Sequence, residues 1–280
     1  MAGGLEGKAV LVTGGGTGIG HGCAAALAAD GAHVMICGRT EKSLVDSAAR
    51  AQAKAGHGGS VEWTVCDVTD EASVTATLEK TAATTGHLDG VVANAGGGGM
   101  IAPFHMQDAA EFERVLKLNV IGTFLCVKHS VPLMREAGGG SFVGMSSLAG
   151  HVTHPLFGAY TAGKAGIEQM MRNAADEFGP AKIRFNSVRP GFIATEIMEG
   201  IPRDSEVFES YVANTPLGGV GEPEDVGNLV RFLVGPESRW ITGAAINIDG
   251  GQAVRRGPDF SSFLREAVGD EVLTGRKPDA

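Results

Sequence analysis

Seven short, mainly apolar runs recur along the chain, the first of them apolar on both faces and most followed by a stretch with helical spacing, and this alternation restricts the fold more than any other feature. Ala9 to Val12, His33 to Cys37, Val61 to Cys66, Leu88 to Ala93, Ser141 to Met145, Ile183 to Val188 and Ala245 to Ile248 read as strands. Between them, helices are predicted over Ile19 to Ala29, Glu41 to Ala55, a stretch through Val74, Leu78 and Ala82, Ala109 to Met134, Ala159 to Phe178 and Pro223 to Leu233. A strand apolar on both sides must be covered on both sides, and strands alternating with helices run parallel. The expected fold class is therefore α/β, a three-layer αβα sandwich around a doubly wound parallel seven-stranded sheet. The helix from Ala109 to Met134 is expected to bend at Gly122 or Pro132.

Residues 1–250 are expected to form one catalytic domain. The pattern loosens from Gly191 to Gly221, between the sixth and seventh strands, which predicts a lid over the C-terminal edge of the sheet. Residues 251–280 read as an extension that packs at a subunit interface or near the site mouth through Phe260, Phe263 and Leu264, or else stays disordered. Composition excludes several classes of function. The 43 glycines follow no three-residue period and accompany only 11 prolines, so the chain is not collagen-like. A net charge of −9 without a basic stripe argues against nucleic acid as a partner. The four cysteines form no CxxC pair, and the chain has neither a secretory leader nor an apolar run of eighteen, so a cytoplasmic protein off the membrane is expected.

Thr13-Gly14-Gly15-Gly16-Thr17-Gly18-Ile19-Gly20 falls between the first strand and the first helix. Free backbone N–H groups at a helix start attract phosphate, and missing side chains let backbone approach it. A bare tight turn is the alternative. The position predicts a Rossmann-like pyrophosphate site with Gly14, Gly16, Thr17, Gly18, Ile19 and Gly20 as contacts. No Gly-Lys-Ser/Thr follows, which disfavours a nucleoside triphosphate. The second strand ends in Cys37-Gly38-Arg39-Thr40, where an NAD site usually carries a carboxylate. Arg39 can pair with a 2′-phosphate in fork geometry and Thr40 can add a hydroxyl, so NADP(H) is predicted. If Arg39 faces solvent instead, NAD(H) is the alternative. Asp67 and Val68 after the third strand are expected at the adenine, with an ordinary strand-end cap as the competing reading of Asp67. Asn94, Ala95 and Gly96 after the fourth are expected beside the middle of the cofactor, with Asn94 bracing neighbouring backbone.

Tyr160 and Lys164 lie four apart at the start of a helix and so share a face. An ammonium beside a phenol favours phenolate, which makes the pair a proton-exchange device. His151 and His154 lack a third ligand, and no metal site is predicted. His151, Phe157, Phe192, Met198 and Tyr211 are expected to form an apolar pocket with a polar tip, suited to a bulky ketone, steroid or acyl thioester.

Taken in order, Thr13 to Gly20, Asn94-Ala95-Gly96, Asn119, Ser147, Tyr160 with Lys164, and Pro190-Gly191 make the chain similar to the classical short-chain dehydrogenase/reductase family over about Gly7 to Gly251. The resemblance implies an oxidoreductase that interconverts a ketone and a secondary alcohol. It implies Tyr160 as acid/base, Ser147 polarising the substrate oxygen, and Lys164 lowering the tyrosine pKa and bonding the nicotinamide ribose. Asn119 would stabilise a bend in the long helix and anchor a proton relay. In Pro190-Gly191-Phe192-Ile193-Ala194-Thr195, Ile193 and Thr195 would meet the cofactor carboxamide or a phosphate. The resemblance further implies a homotetramer or homodimer packed through the long helix and the helix of Tyr160, with Gly163, Ala165, Gly166 and Ile167 at the contact. A non-catalytic dinucleotide-binding regulator and a same-fold epimerase or dehydratase are the competing functions.

Overall fold

The computed structural model describes residues 4–255, 257 and 260–277. Seven parallel strands lie in the order β3-β2-β1-β4-β5-β6-β7. They are β1 (Ala9–Thr13), β2 (His33–Gly38), β3 (Ser60–Val65), β4 (Gly90–Ala93), β5 (Gly140–Met145), β6 (Ile183–Pro190) and β7 (Ala245–Ile248). After β1 the chain winds outward through β2 and β3, then returns to place β4 on the other side of β1. The carboxyl ends of β1 and β4 therefore border the crevice where the winding reverses, the favoured ligand position in such a sheet.

Val10 and Val12 pack to one side with α1 (Gly18–Ala29), α2 (Glu41–Gln52) and α8 (Pro223–Val234), whereas Leu11 packs to the other with α3 (Glu71–Ala83), α5 (Gly122–Glu136) and α6 (Gly158–Phe178). Central β1 is buried throughout, as an all-apolar strand demands. The edge strands depart from that rule: Glu62 is exposed on β3, and β7 is only partly buried. No described helix is long and apolar enough to cross a membrane.

The expected single helix over 109–134 is three segments: α4 (Ala109–Leu116), one π-turn (Lys117–Ile121) and α5. The irregularity is at Asn119, where the family resemblance places a bend, and not at Gly122 or Pro132. Gly122 instead lets the helix approach the end of β3, since a Cβ there would sit 2.9 Å from a Val68 methyl. The remaining helices are α7 (Glu206–Ala213), inside the loose segment, and α9 (Ser261–Leu273), which gives the C-terminal extension a defined element.

Candidate active site

The turn after β1 is shaped by close backbone contact. Gly14 has φ +66°, and a Cβ there would lie 2.9 Å from Ala95 Cα; one at Gly20 would lie 2.2 Å from the Gly14 oxygen. Neither position tolerates a side chain. Asn94 fastens the turn to β4 by donating Nδ2–H to the carbonyls of Thr13 (2.9 Å) and Gly14 (3.2 Å). The Thr13 hydroxyl accepts from the Asn94 and Ala95 N–H groups at 3.0 and 2.9 Å. Thr17 stands at the N-cap of α1 without a side-chain cap bond. The first-turn donors of the helix thus face the crevice uncapped by it, the arrangement a pyrophosphate requires. The residues present fit a dinucleotide.

On the other side of the crevice, β5 delivers Ser146 and Ser147. The Ser147 oxygen accepts from Ala149 N–H at 3.2 Å, and the Ser147 hydroxyl lies beside the Tyr160 phenol. Ser146 turns into the protein, with its oxygen 2.8 Å from Glu168 Oε1 and 3.1 Å from the Lys164 carbonyl. The Glu168 carboxylate is buried and takes Arg189 Nε–H at 2.6 Å, while Arg189 also reaches Asn247 on β7 at 3.4 Å. This network joins α6 to β6 and β7 and commits the Ser146 hydroxyl, so of the two serines on the cavity wall Ser147 is the one free to meet a substrate.

Lys164 is buried, donates to the Met145 carbonyl at 2.8 Å and lies 5.5 Å from the centre of the Tyr160 ring. Burial lowers its pKa to about 8. Burial also raises the Tyr160 phenol, partly offset by the Ser147 hydroxyl beside it. Asn119 is fully buried and donates to the carbonyls of Gly97 and Val115, both at 2.9 Å. Its own carbonyl accepts from Thr123 at 2.7 Å. Gly96 passes so close that a Cβ would lie 2.6 Å from Asn119 Oδ1 and 3.2 Å from Lys164 Nζ.

These groups border one cavity of about 640 Å³. It brings together Gly14, Thr17 to Gly20, Asn94 to Gly96, Ser147, Tyr160, Lys164, Pro190, Gly191, Ile193 and Thr195. Gly16 lies outside it, backed against α2, where a Cβ would meet Ser43 Oγ at 2.8 Å. Arg39 and Thr40 are exposed beyond it, at the end of β2 and the N-cap of α2. Asp67 uses Oδ1 to accept from the Thr69 N–H and hydroxyl at 2.9 and 2.8 Å, which holds its carboxyl below the usual range, helped by the charge of Arg39. Val68 is buried against Gly122, and Asn119 stands behind Gly96 and Gly97.

Phe157, Phe192, Met198 and Tyr211 line the cavity as expected for a pocket wall, but His151 does not: it is exposed, and His154 takes the place on the wall. Phe192 and Tyr211 stack at 4.1 Å between centroids. Phe260 is buried edge-on against Phe157 at 4.7 Å, and Phe263 also lines the cavity, whereas Leu264 does not. Gln252, fully buried, is a lining residue that no sequence pattern marked.

The family model described as enoyl-(acyl carrier protein) reductase matches residues 14–253. The chain belongs to the short-chain dehydrogenase/reductase family. It is accordingly an NAD(P)(H)-dependent oxidoreductase of the short-chain type. The cis-4-hydroxycyclohexanecarboxylate dehydrogenase of Sinomonas cyclohexanicum is 38% identical to this short-chain dehydrogenase/reductase over 244 residues, covering 87% of this chain and 96% of that one. A short-chain type dehydrogenase/reductase from Mycobacterium ulcerans superimposes with a TM-score of 0.95 at 41% identity, over 99% of this chain and 100% of its own. The 7α-hydroxysteroid dehydrogenase complexed with NADH and 7-oxo glycochenodeoxycholic acid matches with a TM-score of 0.82 at 30% identity, over 88% and 94%.

Proposed function

We propose that the protein interconverts a ketone and a secondary alcohol on a bulky, mostly apolar substrate, with NADP(H) preferred over NAD(H). The observation that carries this reading is the meeting of Ser147, Tyr160 and Lys164 in the cavity that the glycine turn of β1 also borders. When bound, the nicotinamide supplies or takes up the hydride. The residues of the chain position and polarise the substrate and move the proton.

Tyr160 is protonated near neutral pH, because burial raises its phenol, and in reduction it donates that proton to the substrate oxygen. Ser147, beside it on the same cavity wall, would hold and polarise the same oxygen. Lys164, when charged, favours the phenolate left behind, and with Tyr160 it would hold the nicotinamide ribose. Asn119 fixes the π-turn behind them and supports the relay that returns the proton. Gly14, Gly16, Thr17, Gly18, Ile19 and Gly20 would hold the pyrophosphate, Asn94, Ala95 and Gly96 the central portion, Pro190, Gly191, Ile193 and Thr195 the nicotinamide side, and Asp67 with Val68 the adenine.

Arg39 and Thr40 would take the 2′-phosphate. Open space supports this, since a Cβ at Gly38 would meet nothing nearer than Leu44 at 3.6 Å. NAD(H) is the second reading, favoured by the exposure of Arg39 and by the NADH bound to the hydroxysteroid relative. The stacked wall of Phe192, Tyr211, Phe157 and Phe260 supports a ring-bearing ketone, in keeping with the ring substrates named for two relatives. Residues 191–221 act as the lid. Four buried free thiols suit the reducing cytoplasm.

The test is consumption of NADPH, and separately NADH, against cyclic ketones, quinones, steroids and acyl thioesters. Tyr160→Phe is expected to lose turnover by roughly 10²- to 10⁴-fold while NADPH affinity, read by fluorescence titration, stays within a few-fold. Undiminished turnover in that variant rejects the mechanism, and equal efficiency with both coenzymes rejects the stated preference.

A further inference from the structure

Gln252 begins the short turn Gln252–Val254 after β7, with its main chain satisfied: its N–H donates to Asp249 O at 3.0 Å and its carbonyl accepts from Arg255 N–H at 2.9 Å. Its side chain is not. The residue is 0% exposed, lines the active-site cavity, and neither Nε2 nor Oε1 has a hydrogen-bond partner among the described residues. Buried polar groups in folded proteins almost always have partners, so an amide orphaned on both sides beside a ligand cavity is a binding group awaiting its ligand.

We propose that Gln252 determines substrate specificity by hydrogen-bonding a hydroxyl or amide carried at the end of the substrate remote from the reacting carbonyl. This rests on the ketone/alcohol reading above. The chemistry of the amide selects the partner. A carboxamide presents two donors and one acceptor, so a group that only accepts, such as a second ketone or a carboxylate, leaves Oε1 unpaired and opposed by another lone pair. A hydroxyl donates to Oε1 and accepts from Nε2, and an amide does the same in plane.

Two other polar residues of the same cavity wall are consistent with a neutral polar group on the substrate. His154 has Nδ1 2.9 Å from the Val152 carbonyl, which can only accept, so the proton is on Nδ1 and the other ring nitrogen is an acceptor; burial keeps the ring neutral. The Tyr211 phenol, raised by burial, is a donor throughout the physiological range. The rest of that wall is the aromatic cluster of Phe192, Phe157 and Phe260. It takes an apolar body and offers a second polar group of the substrate no partner of its own.

The experiment compares cyclohexanone and 2-decalone with their analogues bearing a hydroxyl on the ring position remote from the carbonyl. The ratio of kcat/KM for the hydroxyketone to that for the plain ketone is expected to fall about 10- to 100-fold in Gln252→Met, which keeps the shape and removes both polar atoms. Turnover of the plain ketones by the wild-type enzyme reports separately on the oxidoreductase reading. Calorimetric binding of the same pairs to Tyr160→Phe and to Tyr160→Phe/Gln252→Met, with NADPH present, gives the comparison without chemistry and is expected to show the same loss. An unchanged ratio in both assays overturns the proposal, as does a loss of NADPH affinity in Gln252→Met that accounts for the whole effect. A carboxylate analogue that loses as much as the hydroxyketone overturns the selectivity claimed for the amide.

Discussion

Arg39 is exposed at the end of β2, and its charge helps hold the Asp67 carboxyl below the usual range. A guanidinium here can meet a 2′-phosphate on two sides, whereas a carboxylate would repel it and accept from a 2′-hydroxyl. Arg39→Asp is therefore expected to lower kcat/KM with NADPH by at least about 10-fold and to raise it with NADH. Steady-state rates with each coenzyme check this, and an unaltered NADPH preference removes Arg39 from the assignment. At this scale the sequence was readable wherever chemistry and spacing coincide. Tyr160 and Lys164 share a helix face by arithmetic, and Asn94 follows a strand whose end must meet the turn after β1. Gln252 was invisible because nothing local distinguishes a glutamine that will be buried unpaired from one that will be solvated. The choice between His151 and His154 failed for a similar reason: in a turn without a period, sequence does not say which side chain faces inward.

Helices α1 and α8 meet backbone to backbone. A Cβ at Gly22 would lie 2.4 Å from the Pro223 oxygen, and one at Gly227 would lie 2.4 Å from the Gly22 oxygen. Both helices cover the same face of the sheet, and α1 begins at the phosphate turn. Gly227→Ala must push the two helices apart and is expected to cost about 1–3 kcal/mol, read as a lower denaturant midpoint at unchanged slope. No loss would mean that the crossing is looser than these distances require. The strands and most helices were legible because apolar runs and helical spacing are local signals. The π-turn was legible only through the family resemblance at Asn119; glycine and proline positions alone pointed to Gly122 or Pro132, and the bond from Asn119 to Gly97 exists only in the folded chain. Edge strands β3 and β7 carry polar residues, Glu62 and Thr64 on one and Asn247 on the other, and with one neighbour fewer both stay partly exposed.

The whole subunit leaves apolar surface on its long helix, where Ile121 and Phe124 are 44% and 45% exposed. Ala162 and Ala165 are exposed on α6, whereas Gly163 and Ile167, expected at a subunit contact, are buried within the chain. We propose that these exposed faces close a homodimer or homotetramer. Light scattering at micromolar concentration is expected to give a multiple of the 28.7 kDa subunit, and Phe124→Asp to shift it downward. A monomeric wild-type protein would refute the assembly.

The described part of the C-terminal extension supplies Gln252, Phe260 and Phe263 to the cavity wall, while the phosphate turn and the Ser147, Tyr160 and Lys164 group come from residues up to 164. The two halves of the site therefore emerge from the ribosome at different times. A chain released some thirty residues early would still encode every strand, the proposed reacting groups and the wall residues Phe157, Phe192 and Tyr211, but it would lack Gln252, Phe260 and Phe263. Part of the cavity wall is thus written last, so substitutions in the final segment can reshape the cavity without touching Ser147, Tyr160 or Lys164.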